Sequence, residues 1–308
     1  MHDTTALPPA ALPALPRMRS WLFAPGDSER KMAKAADGEA DIVLLDLEDS
    51  VLSEAKPAAR EAVAAFLASR SDRARLWVRI NPLSGEEAAA DLEAVMPQAP
   101  GGLFLPKAEG RTDIATLDAM LTALEKRHGL TPGSTRVAAL VTETPRAMFL
   151  CGDYAGDYPG SSRLVAMSWG AEDLSSALGA RVQHRPDGSY MPTYELARSL
   201  CLLGAVAAGV TPVETVMPDF RDLDGLQARA LMVRSQGYRG MLAIHPAQVP
   251  VINAAFTPSE QEVAHARAVV RAFADNPGKG TVALDGAMVD IPHLKLARAL
   301  LADAGLAE

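Results

Sequence analysis

The sequence predicts an α/β fold in which eight parallel strands close into a barrel, followed by a C-terminal helical extension. Short β-branched or aliphatic runs alternate along the 308 residues with alanine-rich segments of helical period. This alternation is typical of parallel strands joined by crossover helices. Eight such runs fit a TIM barrel better than an open sheet. A doubly wound sheet is the alternative that the pattern leaves open.

The strand predictions follow from runs rich in Val, Ile, Leu and Phe that end near turn or helix-start signals. In chain order they are residues 20–25, 41–48, 75–82, 101–109, 136–143, 163–173, 211–218 and 240–248. Two helices have recognisable starts: Thr144 followed by Pro145, and a capping box "TPSE" at 257–260 that opens a helix through Ala274. We therefore divide the chain into a disordered Ala/Pro-rich arm (1–18), a barrel domain (19–275) and a C-terminal extension or lid (276–308).

Composition and charge narrow the class of partner. A net charge of −8 argues against nucleic acid, because phosphate binding needs a concentrated basic surface. No apolar run approaches the ~18 residues that a membrane span requires. Cys151 and Cys201 lack metal-ligand spacing, which indicates free thiols in a reducing compartment. We therefore expect a cytoplasmic protein that binds neither nucleic acid nor membrane.

Polar residues follow the apolar body of nearly every predicted strand. The carboxyl ends of barrel strands meet on one face, where the active site lies. The residues concerned are Asp46, Glu48, Arg79, Asn81, Lys107, Glu109, Glu143, Glu172, Asp173 and His245. Burying an unpaired carboxylate costs several kcal/mol, so Asp46 and Glu48 need partners. Arg79 and Lys107, at the ends of the next two strands, are the candidates.

Glu143 and Asp173 end the fifth and sixth predicted strands, which are neighbours in a barrel. Two carboxylates completed by water are a usual way for a protein to hold Mg²⁺. The alternative is that both acids begin helices and interact with the helix dipole. Their spacing alone leaves both readings open.

Arg79 and His245 each have a functional and a structural interpretation. An arginine at a strand end offers a planar fork for a carboxylate or an enolate-like oxygen, or it pairs simply with Glu48. His245, next to a proline, is either an acid or base or a hydrogen-bonded structural residue. Cys151 has no nearby histidine, so a buried inert thiol is the better interpretation.

Several segments together resemble the HpcH/HpaI aldolase and citrate lyase β-subunit family. They are "RSWLFAPG", "DIVLLDLEDSV" with "KPAAR" after it, "VRIN", "LPKAE", "VTETPRAM", "WGAEDLSSALG", "AIHPAQV" and "DGAMVDIPHLKLA". They run in the family's order from about Arg19 to Leu300. The chain is more similar to the acyl-CoA lyase branch, with its malyl-, citramalyl- and citryl-CoA lyases, than to the shorter sugar-acid aldolases.

The resemblance implies a carbon–carbon lyase that uses Mg²⁺, with Mn²⁺ as an alternative, and acts on an acyl-CoA thioester and a small 2-oxoacid. It implies a homo-oligomer, either a trimer or a hexamer. By motif position Glu143 and Asp173 match the metal ligands, and Arg79 matches the substrate-binding arginine. We expect Arg79 also to stabilise the enolate oxygen. Asp290 matches an acidic residue that reaches an active site, often that of a neighbouring subunit, and we expect it to move the proton. Its structural alternative is a helix N-cap.

Further residues are expected to support this chemistry. Phe23, Arg30 and Lys31 lie where relatives contact coenzyme A. Asp46 and Glu48 are expected to orient Arg79, with Asp46 in the substrate-binding group and Glu48 in the catalytic group. Glu172 and His245 complete the substrate-binding candidates. The alternatives are a citrate lyase β subunit acting on a carrier-protein thioester, a malyl-CoA thioesterase, or a non-catalytic protein that binds CoA esters.

Overall fold

The computed structural model describes residues 15–306 and divides into two compact units. The first unit ends at Ile252 and the second begins at Asn253. This boundary lies earlier than the one at 275/276 expected from the sequence, so the helix that ends at Ala274 groups with the second unit. Of the predicted arm, residues 1–14 lie outside the described part of the chain.

The first unit is a closed barrel of eight parallel strands. The strands are β1 (Ser20–Pro25), β2 (Ile42–Asp46), β3 (Leu76–Arg79), β4 (Gly102–Leu105), β5 (Arg136–Leu140), β6 (Leu164–Ser168), β7 (Thr211–Glu214) and β8 (Gly240–Ala243). Each strand pairs with the next in the chain, and β8 pairs with β1. The predicted TIM barrel is confirmed, and the doubly wound alternative is wrong.

Helices connect the strands of the first unit. They are α1 (Glu29–Ala36), α2 (Lys56–Ser69), α3 (Glu87–Val95), α4 (Arg111–His128), α5 (Pro145–Met148), α6 (Glu172–Leu178), α7 (Pro192–Ala208) and α8 (Leu223–Gln236), followed by α9 (Gln248–Ala255) at the boundary. As predicted, Thr144 caps α5: its hydroxyl accepts a hydrogen bond from the Ala147 backbone N–H at 3.1 Å. Among the described residues, no helix is long and apolar enough to cross a bilayer.

Large apolar side chains fill the barrel interior. The cluster comprises Trp21, Ile42, Leu44, Trp77, Phe104, Ala138, Leu140, Ala166, Val213 and Leu242. Trp21 and Trp77 pack edge to face with ring centroids 5.2 Å apart. A Cβ at Gly102 would lie 2.6 Å from the Trp77 ring, so a bare backbone at this position makes room for the indole. This packing holds the strand ends in fixed relative positions.

β1 has the predicted bounds, but the other seven strands are shorter than the sequence predicts, mainly at their carboxyl ends. β2 stops at Asp46 rather than Glu48, and β6 stops at Ser168, so that Glu172 already opens α6. Asp46 and Arg79 are the last residues of β2 and β3, whereas Glu48, Lys107 and Glu143 lie beyond the strand ends, where side chains are not restricted to alternate faces of a sheet. Parallel βα-loops with this arrangement form the active-site face of such barrels.

The second unit has its own small core. Helices α10 (Glu260–Ala274) and α11 (Ile291–Asp303) pack with the antiparallel hairpin of β9 (Thr281–Leu284) and β10 (Ala287–Asp290). The core residues are Ala266, Val269, Phe273, Val282, Val289, Leu294, Ala297 and Leu301. The predicted capping box at 257–260 is wrong in register: Ser259 caps α10 and exchanges hydrogen bonds with Glu262.

Candidate active site

A cavity of about 370 Å³ lies at the carboxyl ends of the barrel strands. Its charged lining residues are Asp46, Asp49, Arg79, Glu143, Glu172 and Asp173. The sequence predicted five of these six as site residues; Asp49 was missed, although it follows Glu48 directly. The barrel thus brings the ends of β2, β3, β5 and β6 to one opening, as its topology requires.

Arg79 is held by two buried carboxylates. Asp46 and Arg79 are directly paired across β2 and β3, and Asp46 accepts from Nε at 2.7 Å and from a terminal guanidinium nitrogen at 2.6 Å. The other terminal nitrogen lies 2.8 Å from Glu48 Oε2. The Phe23 ring lies beneath the guanidinium, with its centroid 4.6 Å from Cζ. These contacts fix both the plane and the direction of the arginine fork.

The two carboxylates respond differently to this environment. Burial alone would raise the pKa of Asp46, but the Arg79 guanidinium outweighs it and the pKa lies below its usual value. Burial raises the pKa of Glu48 despite the charges of Arg79 and Lys107. Of the two carboxyl groups, Asp46 therefore favours the ionised form more strongly, because both its oxygens bond to one guanidinium.

Lys107 connects the Arg79 group to the second pair of acids. Its ammonium forms an ion pair with Glu48 and lies 3.4 Å from Asp173 Oδ1. Its backbone is left-handed, with φ of 51°, and its N–H donates to Glu143 Oε2 at 2.6 Å. The sequence suggested Lys107 as a partner for the first carboxylates. It gave no sign of the backbone conformation that links the residue to Glu143.

Glu143 is buried, with 4% of its surface exposed, and none of the described cations forms a salt bridge with it. Burial, then the charges of Asp173 and Glu48, raise its pKa to about 8. A Cβ on Gly170 would lie 2.8 Å from the Glu143 Cγ, so only glycine leaves space for this side chain.

This environment fits a divalent cation. Glu143 is buried without a salt bridge and lies close to the Asp173 carboxylate. A bound cation would offset the repulsion between these two groups. Among the residues that the structure describes, no group of three or more His, Cys, Asp or Glu side chains could hold a metal ion. Two carboxylates are nevertheless enough for Mg²⁺, which usually keeps several waters and is completed by substrate. Glu143 and Asp173 are the residues that could hold it.

A buried hydrogen-bond network lies at the loop that leads from β6 into α6, the helix that carries Asp173. The Trp169 indole N–H donates to Glu214 Oε2 at 2.9 Å, and Arg229 pairs with the other oxygen of Glu214. Glu172, at the start of α6, accepts from Gln183 Nε2 at 2.8 Å. Sequence reasoning missed Glu214; the available signal was an acidic residue inside the apolar strand "TPVETV".

The remaining predicted residues lie outside the cavity lining. Arg30 and Lys31 are exposed on α1. His245 stacks on Phe220 at 4.6 Å and its Nδ1 accepts from the Ala247 N–H, although its neighbour Ile244 does line the cavity. The ligand contacts expected of these three residues stay predictions.

Asp290 and Cys151 take the structural roles that were weighed for them. Asp290 belongs to the second unit and caps α11, with its Oδ1 2.5 Å from His293 Nδ1. Its predicted proton-transfer role stays a prediction. Cys151 is buried, and burial raises its pKa to about 12, as expected of an inert thiol.

Comparison with known proteins places this geometry in a family. The family model described as HpcH/HpaI aldolase/citrate lyase matches residues 19–246. The citrate lyase subunit beta-like protein of Mycobacterium tuberculosis is 36% identical over 285 residues, covering 92% of this chain and 95% of the relative. The (3S)-malyl-CoA thioesterase of Cereibacter sphaeroides is 34% identical over 290 residues, covering 93% and 94%. The citrate lyase subunit beta of Escherichia coli is 33% identical over 291 residues, covering 94% and 93%.

Solved structures agree with this relationship. A structure of CitE from M. tuberculosis in complex with magnesium, acetoacetate and coenzyme A aligns with a TM-score of 0.77 and 36% identity, covering 94% of this chain and 98% of that one. Another, with magnesium and pyruvate, has a TM-score of 0.70 and 34% identity, covering 92% and 98%. The chain therefore belongs to the HpcH/HpaI aldolase/citrate lyase family.

Proposed function

We propose that this protein is a Mg²⁺-dependent carbon–carbon lyase that cleaves or forms a 3-hydroxyacyl-CoA, with acetyl-CoA and a 2-oxoacid as the other side of the reaction. The observation that carries the proposal is one cavity with two unlike halves. Arg79 is fixed by Asp46 and Glu48 on one side, and Glu143 and Asp173 provide a carboxylate pair on the other. Relatives crystallised with magnesium, coenzyme A and small oxoacids support the same chemistry.

Glu143 and Asp173 would hold the metal. When bound, the ion supplies Lewis acidity at the hydroxyl or keto oxygen of the substrate. Lys107 offsets the negative charge of Glu48 and Asp173, and its backbone N–H keeps Glu143 directed into the cavity. Glu143 and Asp173 are thereby already positioned to bind a cation.

Arg79 stabilises the charge that develops on the thioester. In cleavage, the carboxylate of Asp290, from the same or a neighbouring subunit, takes the hydroxyl proton, and the hydroxyl oxygen becomes the keto group of the 2-oxoacid. The carbon–carbon bond breaks, and its electron pair enters the thioester to form an enolate. Arg79 donates hydrogen bonds to the enolate oxygen from a position set in advance by Asp46, Glu48 and Phe23. The enolate carbon then takes up a proton, and Asp290 is the proposed acid.

The test is a condensation assay with EDTA-stripped protein. Acetyl-CoA is incubated with glyoxylate, pyruvate or oxaloacetate, with and without Mg²⁺, and the CoA esters are identified by mass spectrometry. A new CoA ester that requires Mg²⁺ is the expected result. A folded protein that forms no such ester with any of the three acids would contradict the proposal.

A thioesterase is the second candidate, because relatives at 34% identity are named (3S)-malyl-CoA thioesterase. Free CoA released from malyl-CoA without glyoxylate would favour hydrolysis over carbon–carbon cleavage.

The relative named citrate lyase subunit beta supports a third candidate function, in which the thioester is on a carrier protein. Co-purification with partner subunits would favour that function. Ligand-induced thermal stabilisation by CoA esters without turnover would instead favour a non-catalytic binding protein.

We also retain a cytoplasmic homotrimer or hexamer of stacked trimers as a proposal. Light scattering on the purified protein would measure its mass against that of a single 32.5 kDa chain.

A further inference from the structure

We infer that Lys56 is a positioning residue: its buried ammonium group holds the turn that follows β2 and thereby sets the direction of the Glu48 side chain. We call this turn, residues 47–51, the β2 turn. The inference rests on the proposed lyase function, in which Glu48 helps to fix Arg79. Lys56 itself lies outside the lining of the cavity, so it acts through the β2 turn.

Lys56 is a buried cation at the unfavourable end of a helix. It is the first residue of α2, where the positive end of the helix dipole disfavours an ammonium group. Only 8% of its surface is exposed, and none of the described Asp or Glu side chains forms a salt bridge with it. Lysine is almost never buried to this extent unless it is paired. Uncharged oxygen atoms must therefore stabilise this ammonium group.

Three oxygen atoms match the three N–H groups of the ammonium. Nζ donates to the backbone carbonyls of Leu47 at 2.8 Å and Glu48 at 3.0 Å, and to Asn81 Oδ1 at 2.7 Å. The full donor capacity of the lysine is thus used, and two of its three bonds go to the β2 turn. Because a buried carbonyl without a donor is costly, the lysine and the turn hold each other in place.

The backbone of Glu48 is bonded through both its carbonyl and its N–H. The carbonyl also accepts from the Val51 N–H at 3.1 Å, which closes the β2 turn, and the Glu48 N–H donates to Asp46 Oδ1 at 2.9 Å. The side chain then lies 2.8 Å from a terminal nitrogen of Arg79 and pairs with Lys107. A shift of this backbone would move the carboxylate away from both cations.

Asn81 and Asp91 connect this arrangement to α3. Asn81 Nδ2 donates to the Leu47 carbonyl at 2.9 Å and to Asp91 Oδ2 at 2.7 Å. Asp91 is fully buried, and its other oxygen accepts from Arg60 Nε at 2.7 Å. In the described part of the chain, Arg60 of α2 bonds to residues of α3 and to none in the β2 turn. It therefore offers a matched control: a second largely buried cation of the same helix that does not touch the turn.

Hydrogen exchange tests the effect on the β2 turn without any substrate. Lys56→Met keeps the length of the aliphatic stem and removes the three donors. We expect the amides of residues 47–51 to exchange at least about 10-fold faster in this variant than in the wild type. Arg60→Met should leave these amides near the wild-type rate. Unchanged exchange in Lys56→Met, or equal acceleration in the two variants, would overturn the inference.

Steady-state kinetics of CoA-ester formation test the effect on catalysis. We expect kcat of Lys56→Met to fall by about 100-fold, the order lost when a supporting group is misplaced by about 1 Å. KM for acetyl-CoA should stay near the wild-type value, because Lys56 lies outside the cavity lining. Lys56→Gln keeps a smaller amide donor and should lose less activity. Arg60→Met should keep the wild-type kcat, and an equal loss in Arg60→Met and Lys56→Met would show a general loss of stability instead of positioning.

A double variant tests whether Lys56 acts through Glu48. Glu48→Gln combined with Lys56→Met should be no slower than the slower of the two single variants, since both changes remove the same interaction. Reductions in kcat that multiply would overturn the inference.

Exchange and turnover together separate this inference from the lyase proposal. Faster exchange confined to residues 47–51, in a protein whose wild type forms no CoA ester, would contradict the lyase and still support the control of the β2 turn by Lys56. Faster exchange with unchanged kcat in Lys56→Met would overturn the positioning role and leave the lyase standing.

Discussion

The two carboxylate pairs of the cavity differ in how their charge is balanced. Asp46, the last residue of β2, and Glu48 just beyond it are compensated within the chain by Arg79 and Lys107. Glu143 and Asp173, after β5 and β6, are not: Glu143 has no salt-bridge partner among the described residues and Asp173 has Lys107 only at 3.4 Å. The negative charge of the first pair is thus balanced within the folded protein, whereas the second pair is arranged to bind a cation.

Replacing Arg79 should have the largest effect of any change that tests this comparison. Arg79→Lys keeps the charge but loses the planar fork that bonds Asp46. We expect kcat to fall by about 10³-fold, the order seen when a preorganised donor to a developing anion is lost. The measurement is steady-state kinetics, with circular dichroism as a check on folding. Turnover near the wild-type value would remove Arg79 from the mechanism.

Asp46→Asn should weaken the compensated half in the absence of any ligand. The change leaves the buried Arg79 guanidinium with less negative charge around it, which costs about 3 kcal/mol of unfolding free energy. Urea unfolding of the metal-free variant measures the loss. Asp49→Asn is a suitable control, because Asp49 is largely exposed and lies 3.9 Å from Arg79. Equal losses in both variants would contradict the distinction between the halves.

Glu143→Gln should behave in the opposite way. Its pKa of about 8 means that the metal-free protein gains little from the charged form near neutral pH. Metal-free stability should therefore stay the same or rise. Mg²⁺ affinity, measured by calorimetry, should fall at least about 10-fold. Unchanged affinity for Mg²⁺ would show that the second half is not the metal site.

Gly170→Ala should give the smallest effect. The added methyl group would lie 2.8 Å from the Glu143 Cγ and displace that side chain. We expect Mg²⁺ affinity to fall by about 3- to 10-fold and unfolding free energy by about 1 kcal/mol. Gly152→Ala is a matched control, since a Cβ there meets nothing within 4 Å. A similar loss of Mg²⁺ affinity in both variants would contradict this role for Gly170.

The sequence could predict the barrel and most of the charged lining for one physical reason. Apolar runs ending in ionic residues fix both the strand order and the face on which those residues meet. Asp46, Arg79, Glu143 and Asp173 could be placed in this way. The residue at which each strand ends could not be predicted, because the two-residue alternation of buried and exposed side chains is lost where the chain leaves the barrel.

Other features depend on backbone geometry or distant contacts. Nothing local to "LPKAE" signals the left-handed backbone at Lys107 or the bond from its N–H to Glu143. Glu214 is far in sequence from Trp169, so their hydrogen bond follows only from the neighbouring positions of β6 and β7. The capping box of α10 was misplaced by two residues because both Thr257 and Ser259 are good N-cap residues.

The position of Trp169 gives the protein an internal optical reporter. Its indole is fully buried, donates to Glu214 and stands one residue before the Gly170 turn that borders Glu143. The other two tryptophans, Trp21 and Trp77, lie within the barrel core. We therefore expect the emission of Trp169 to change when the Glu143 and Asp173 pair is occupied, so that ligand binding at this site can be followed by fluorescence without any attached dye.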